Sequence, residues 1–281
     1  MSESIVGTAA LGRPSLIYDS HVHSRNSHDG RDSVDALCEA AIAKGLAGIA
    51  ITDHCDAARD PRGCVKVKDA VVRDVRAARG RFGDALMIAA GVELGEPHRN
   101  IATAKEIASD PDLDFVIGSL HMLRDTEDFY YIDYDREDLD CLLRRYYDEL
   151  TELCECGVCD VVGHINYQAR YMNARQRARV DWTRYYPELE KVLSSCARRG
   201  MGMEINTSGL RAGVGDTLPG ADAIKMFKDA GGRIITIGSD AHTAEAIGSH
   251  ARDAADSIAA AGFSAAFFIK RAPGSSARKI Q

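Results

Sequence analysis

The stretch Ser33–His54, SVDALCEAAIAKGLAGIAITDH, contains one complete structural unit. Ser33 stands where an N-cap belongs, its hydroxyl available to the free amides that open a helix over Ser33–Lys44. Gly45 sits where that helix stops, because glycine adopts the left-handed terminating conformation at least cost. Leu46–Asp53 is then an apolar, β-rich run, long enough for a buried strand and too short for a second helix. His54 follows the strand directly. Helix, glycine stop, strand and a terminal imidazole form a unit to look for elsewhere in the chain.

The unit recurs in both directions. Ser15–His23 reads as the first strand, and a helix near Val67–Arg79 follows the Leu46–Asp53 strand. Leu86–Glu93 is the third strand, with a short helix near Ala102–Ala108, and Phe115–His121 is the fourth. Arg136–Cys154 is a long helix carrying Leu139, Leu142, Leu143, Tyr146 and Leu150 at helical spacing. Asp160–His164, Gly202–Ile205 and Arg233–Gly238 complete the strands. Helices are expected over Thr183–Arg198, Asp222–Ala230 and Ala244–Ala261, and a last apolar run, Phe263–Ile269, precedes a polar tail read as frayed. Strands alternating with helices imply parallel strands joined by right-handed crossovers. Seven units suit an α/β barrel one unit short of the usual eight, with an open doubly wound sheet as the alternative. Without a low-complexity linker or composition break, 1–281 reads as a single domain.

Composition narrows the function. A formal net charge of −7 argues against a nucleic-acid or anionic-membrane binder. It leaves room for a small anionic substrate, because bound metals can dominate the field inside a pocket. No uninterrupted apolar run approaches a membrane span, and no basic segment leads into an apolar core as in a secretory signal. The 8 cysteines fall mostly in helices or at strand ends, as reduced cytoplasmic thiols would. Cys154, Cys156 and Cys159 include a CxxC without a second pair to complete a zinc knuckle, so these thiols read as inert.

Chemistry-bearing residues concentrate at strand ends. The motifs are His21-Val22-His23, Thr52-Asp53-His54, Gly91-Val92-Glu93, Gly118-Ser119-Leu120-His121, Gly163-His164, Glu204-Ile205-Asn206 and Ser239-Asp240-Ala241-His242. Imidazole and carboxylate are the ligands that borderline divalent metals take. His21 and His23 are two apart, so on a strand they share a face; Asp240 and His242 repeat that spacing. Asp29 lies on the loop after the first strand, where an Asp-Gly turn is the competing reading. Glu93 ends an apolar run and is costly to bury without a partner, so it is expected to be paired or metal-bound. Of the 9 histidines, only His98 and His250 lie clearly outside these segments. In a barrel, strand C-termini gather at one mouth. Cysteine-based phosphoryl chemistry fails on sequence: no cysteine has the arginine spacing of a cysteine-dependent phosphatase. Ile132-Asp133-Tyr134-Asp135 resembles a phosphoaspartate motif but continues with Arg136 and Glu137, so it reads as a polar loop with Asp135 as an N-cap. No P-loop or dinucleotide fingerprint is present.

Together the motifs resemble the PHP (polymerase and histidinol phosphatase) superfamily, in the same order across nearly the whole chain. Ala40–Asp56, Gly91–Gly95, Gly163–Asn166 with Arg170-Tyr171, Glu204–Arg211 and Arg271-Ala272-Pro273 are similar to its monofunctional histidinol-phosphatase branch. The resemblance implies a distorted (β/α)7 TIM-like barrel with three divalent metal ions, zinc, manganese or iron. It implies His21, His23, Glu93 and Asp240 at the first ion, with Glu93 bridging to a second held by His121 and His164. Asp29, His54 and His242 would take the third, with His28 as the alternative to Asp29. Asn166 stands where relatives often carry aspartate. Arg170 and Arg211 are implied as substrate anchors. The implied activity is hydrolysis of L-histidinol phosphate by a metal-bridging hydroxide, with Glu93, Asp240 and His242 at the reacting centre. Nucleotides or other small phosphometabolites are the alternative substrates, and a non-catalytic metal-stabilised barrel is the third possibility. The oligomeric state is not legible.

Overall fold

In the computed structural model, residues 16–175, 180–269 and 278–280 are described. The elements are β1 (Tyr18–Val22), α1 (Val34–Ala43), β2 (Gly48–Asp56), α2 (Pro61–Phe82), β3 (Met87–Gly95), α3 (Ile101–Ala108), β4 (Phe115–Ser119), α4 (Leu139–Cys156) and β5 (Val161–Val162). They continue with α5 (Ala169–Arg175), α6 (Tyr186–Arg199), β6 (Gly202–Asn206), α7 (Ser208–Arg211), α8 (Ala221–Asp229), β7 (Ile235–Gly238), α9 (Ala251–Ala260), β8 (Phe267–Ile269) and β9 (Arg278–Ile280).

The helix boundaries follow their caps. Ser33 Oγ accepts from the Ala36 amide to open α1. Asp60 caps α2 with Pro61 in its first turn. The long helix starts later than sequence periodicity places it: Asp138 accepts from the Cys141 amide and opens α4, while Asp135 lies in a short 3₁₀ turn over Tyr134–Arg136. The last long helix is also shorter than expected. Gly248 and His250 both take positive φ, which breaks the chain before α9.

Seven strands, β1 to β7, form one parallel sheet in sequence order. The ends of the sheet meet. Val22 bridges in parallel to Ala241, the Asp240 amide donates to the His21 carbonyl, and the His23 amide donates to the Ala241 carbonyl. The sheet therefore curls into a nearly closed barrel, and the open doubly wound alternative does not apply. Alternate residues of each strand divide between its two faces. Ile49 and Ile51, or Ile88 and Val92, pack outward under the helices. Ala50, Ala89, Phe115 and Val161 face a second cluster inside the barrel. The β1 register slips between Asp19 and Val22. That slip lets Tyr18 join the interior cluster below while His21 and His23 face the mouth above.

The floor is closed by the segment expected to run into a frayed tail. Phe267 stacks on Tyr18 at 4.7 Å between ring centroids, and Phe268 on Phe115 at 4.9 Å. The strand carrying them pairs antiparallel with β9. The Arg271-Ala272-Pro273 motif lies outside the described residues. No described helix is long and apolar enough to cross a membrane. The Cys154 and Cys196 sulfurs lie 3.1 Å apart between α4 and α6, fully buried and unbridged. Their mutual contact and burial push the Cys154 thiol well up, away from the reactive thiolate.

Candidate metal centre

The strands deliver their terminal side chains to one point. β2 and β3 pair with His54 opposite Glu93. The Glu93 carboxylate, fully buried, is the hub: His54 Nδ1 lies 2.7 Å away, His164 Nε2 2.8 Å, His121 Nε2 3.2 Å, His21 Nε2 3.4 Å and His23 Nε2 3.6 Å. Asp240, just past β7 and at φ 54°, places Oδ1 3.2 Å from His23 Nε2 and 3.8 Å from His21 Nε2. On the solvent side, Asp29 Oδ2 is 3.1 Å from His242 Nε2 and 3.6 Å from His54 Nε2. His28, with its side chain 75% exposed, stands outside Asp29 at 3.8 Å. Ligand atoms within 4.8 Å of one another group as His21–His23–Asp240, His21–Glu93–His164, His54–Glu93–His121 and His23–His54–His242.

Three atoms at the middle of this set, His21 Nε2, His23 Nε2 and Glu93 Oε2, are buried and form no aligned hydrogen bond; what faces them is other members of the same set. Buried polar atoms are rarely left so, because the desolvation cost goes uncompensated. Divalent cations would satisfy all three, and the nitrogen and oxygen donor set suits them. The residues present fit the metals that the sequence motifs imply.

Charge within the cluster is mutually compensated. Burial pushes the Glu93 carboxyl up, but His21, His121 and His54 more than offset it and hold it well below the usual carboxylate range. Asp240 is likewise raised by burial and brought well below by Arg170 and His21. Burial lowers His21, and Glu204, Glu93 and Asp240 together carry it well above the ordinary imidazole value. His23 goes the other way: burial and its neighbours His54 and His242 keep it neutral.

An outer layer of buried polar groups fixes the ligands. Glu204 Oε1 accepts from His21 Nδ1 at 2.7 Å, and its Oε2 accepts from the His164 amide at 2.7 Å. Ser27 Oγ lies 3.2 Å from His23 Nδ1 and donates to Asp53 Oδ1 at 2.9 Å. His242 Nδ1 is 3.0 Å from the Asp240 carbonyl. A ring nitrogen facing a carboxylate or carbonyl carries its proton there, so the other nitrogen keeps a lone pair for an ion. Asp19 joins the two ends of the sheet, accepting from the Ser239 amide, the Ser239 hydroxyl and the Gly248 amide. Sequence reading places Glu204 and Asp53 within motifs without giving either a role, and passes over Asp19. The signal that singles out Glu93, a carboxylate in an apolar strand, applies to Glu204 and Asp53.

A cavity of about 660 Å³ opens over the cluster, within the range of small-molecule sites. Tyr130, Tyr131, Tyr167 and Tyr171 line one wall, with Asp56 and Asp128 also on its lining. Both candidate anchoring arginines reach it. Arg170 hydrogen-bonds Asp240 Oδ2 and, at 3.3 Å, Asn206 Oδ1. Its Nε is buried without a partner and its guanidinium lies over the Tyr167 ring. Arg211 donates to the carbonyls of Ser239, at 2.9 Å, and Asp240, at 3.1 Å. Part of each guanidinium is thus committed to the Asp240 segment. Asn166 stands aside from the ligands: its side-chain oxygen accepts from the Tyr147 hydroxyl at 2.6 Å.

Comparison with known proteins follows the same lines. The chain is 26% identical over 259 residues to the "Probable histidinol-phosphatase" of Clostridium acetobutylicum, covering 91% of this chain and 98% of that protein. It is 26% identical over 236 residues to the histidinol-phosphatase of Lactococcus lactis, covering 81% of this chain and 84% of that protein. The crystal structure of the Lactococcus lactis histidinol phosphate phosphatase, complexed with zinc, L-histidinol and phosphate, superposes with a TM-score of 0.74 at 25% identity. That match covers 89% of this chain and 95% of the other. The sequence pattern of the PHP domain matches residues 19–208, and the chain belongs to the PHP domain family.

Proposed function

We propose that this protein is a metal-dependent phosphomonoesterase that hydrolyses L-histidinol phosphate to L-histidinol and phosphate. The observation that carries the reading is the Glu93-centred ring of ligands with unpartnered atoms, set under a cavity of small-metabolite size. The match to a histidinol phosphate phosphatase over most of both chains supports the choice of substrate. In this reading His21, His23, Glu93 and Asp240 hold one ion, Glu93 with His121 and His164 a second, and Asp29, His54 and His242 a third. When bound, divalent ions supply Lewis acidity toward the phosphoryl oxygens and a water whose pKa falls to about 7.

The chain's own groups do the rest. Arg170 and Arg211, both on the cavity lining, offer the guanidinium donors not held by the Asp240 segment to phosphoryl oxygens and neutralise charge that grows in the transition state. Tyr167 and Tyr171 cover the phosphoryl end and exclude bulk water. Asp240, bound by Arg170 at Oδ2 and facing His21 and His23, stays ionised. His242 keeps its Nδ1–H on the Asp240 carbonyl and its Nε2 for an ion, so the departing alkoxide takes its proton from water in the open cavity. Tyr130 and Tyr131, with Asp56 and Asp128, receive the organic part of the substrate.

The test is a steady-state screen of phosphomonoesters with protein reconstituted separately with zinc, manganese and iron. The compared quantity is kcat/KM, because specificity is a difference in transition-state binding. L-Histidinol phosphate is expected to lead, with all activity lost on chelation. A nucleoside monophosphate turned over at least as efficiently would replace this substrate assignment. Full activity in protein stripped of metal would remove the metal mechanism.

A further inference from the structure

Glu204 touches none of the cavity, yet the interior of the barrel is arranged around it. It lies on β6, fully buried, and its two carboxylate oxygens are divided between the first and fifth strands. Oε1 is 2.7 Å from His21 Nδ1, while Oε2 accepts from the His164 amide at 2.7 Å and from Asn206 Nδ2 at 3.1 Å. Both histidines are ligand candidates, and one carboxylate spans them.

The neighbouring strands are cut away to admit it. A Cβ added at Gly238 would sit 2.0 Å from Glu204 Oε1 and 2.4 Å from His21 Cβ. On the other side, a Cβ at Gly163 would stand 3.5 Å from Oε2 and 2.6 Å from Ser119 Oγ. Neither glycine takes a positive φ. At Gly238 what forbids a side chain is therefore the space that Glu204 and His21 occupy, and not the local backbone. A carboxylate brought into a barrel interior, and given its room by a glycine on the adjacent strand, is costly unless its contacts matter.

We infer that Glu204 is a positioning residue: it holds His21 with its proton on Nδ1 and its Nε2 lone pair aimed at the metal centre, and fixes His164 at the matching distance across the barrel. The inference rests on the metal-centre reading. The alternative is a purely structural role, in which Glu204 only satisfies the His164 amide and Asn206. A carboxylate acting on a ligating imidazole raises its basicity and fixes its tautomer, and losing such a partner typically weakens metal binding by roughly 10- to 100-fold. A structural carboxylate lost elsewhere lowers stability without that signature.

The experiment is a titration of metal-free protein with Zn²⁺ against a chromogenic competing chelator, with no substrate present. Wild type is compared with Glu204→Gln, which keeps the shape and the Oε contact with the amide. The control is Asp114→Asn, a buried carboxylate at the start of β4 that accepts from the Ala90 amide and Arg79, away from the ligands. Glu204→Gln is expected to bind at least one ion roughly 10- to 100-fold more weakly, with a native circular dichroism spectrum. Asp114→Asn is expected to keep wild-type affinity. Equal affinity of Glu204→Gln and wild type for every ion overturns the inference, as does an equal loss in the control. Wild type that binds no zinc overturns the metal-centre reading itself, a distinguishable result. Should Glu204→Gln not fold, ¹⁵N NMR of the histidines in zinc-loaded wild type decides. His21 protonated on Nδ1 supports the inference, and His21 protonated on Nε2 sinks it.

Discussion

At the scale of single residues, the centre is a problem of uncompensated atoms. His23 Nε2 and Glu93 Oε2 form no aligned hydrogen bond, face only other members of the cluster and have no access to water. His23→Ala and Glu93→Ala are each expected to lower bound metal and turnover together, read by elemental analysis beside initial rates. Turnover lost with metal content unchanged would show that the residue serves the substrate and not the ion. Arg211 is a separate matter. Its guanidinium grips two carbonyls beside Asp240 and faces the cavity with its remaining donors. Arg211→Ala is expected to keep its metals, because Asp240 retains Arg170 and His23, and to lower kcat/KM by roughly 10²-fold, about 2.7 kcal/mol. Arg211→Lys recovers only part, since an ammonium cannot reproduce a two-pronged donor. Alanine kinetics equal to wild type would reduce Arg211 to a surface charge.

At the scale of elements, the join between β1 and β7 decides whether the barrel closes. Asp19 receives the Ser239 amide and hydroxyl and the Gly248 amide, so it ties the first strand to both ends of the loop that carries Asp240 and His242. Asp19→Ala leaves those donors buried and unpaired and is expected to cost roughly 2–4 kcal/mol in urea denaturation. A change below about 0.5 kcal/mol would show that water replaces the carboxylate. Sequence reading reaches the strands and the side chains gathered at the barrel mouth because most strands end in a residue that an apolar run does not explain, His54 and Glu93 above all. It stops at Asp19 because one buried carboxylate in a short strand looks like any other aspartate until its partner 220 positions away is known. Element edges fail for local reasons. Asp135 is read as the cap because aspartate suits that position, but it is the Asp138 side chain that accepts from the Cys141 amide. The β8–β9 floor is illegible because Phe267 and Phe268 are short on periodicity and acquire meaning only against Tyr18 and Phe115.

At the scale of the whole molecule, acid sensitivity has an identifiable source beyond the metal ligands. His98, in the turn after β3, has a side chain only 3% exposed, with both ring nitrogens unpartnered. Burial, helped by Arg99 and opposed by Glu149, lowers its pKa to about 4. The unfolded chain, with His98 near its ordinary value of about 6.5, binds the proton first. Stability from a neutral His98 is therefore complete above pH 6.5 and is lost as pH falls toward 4. His98→Leu is expected to gain stability relative to wild type across that window, read from denaturant midpoints of metal-free protein at pH 7 and pH 4.5. A difference that does not vary with pH would mean that His98 is hydrated. The closure described above also has a consequence in time. The Asp19–Ser239 contact spans 220 positions, and Phe267 reaches Tyr18 from later still. During translation the first strand leaves the ribosome long before the neighbours that cover its open edge and its floor exist, and contacts of such separation form late. Until then His21 and His23 stand on an incomplete surface, apart from the later members of the cluster. The container closes once the region around Phe267 has emerged, so a nascent chain released before that point carries the candidate ligands without a vessel to hold them.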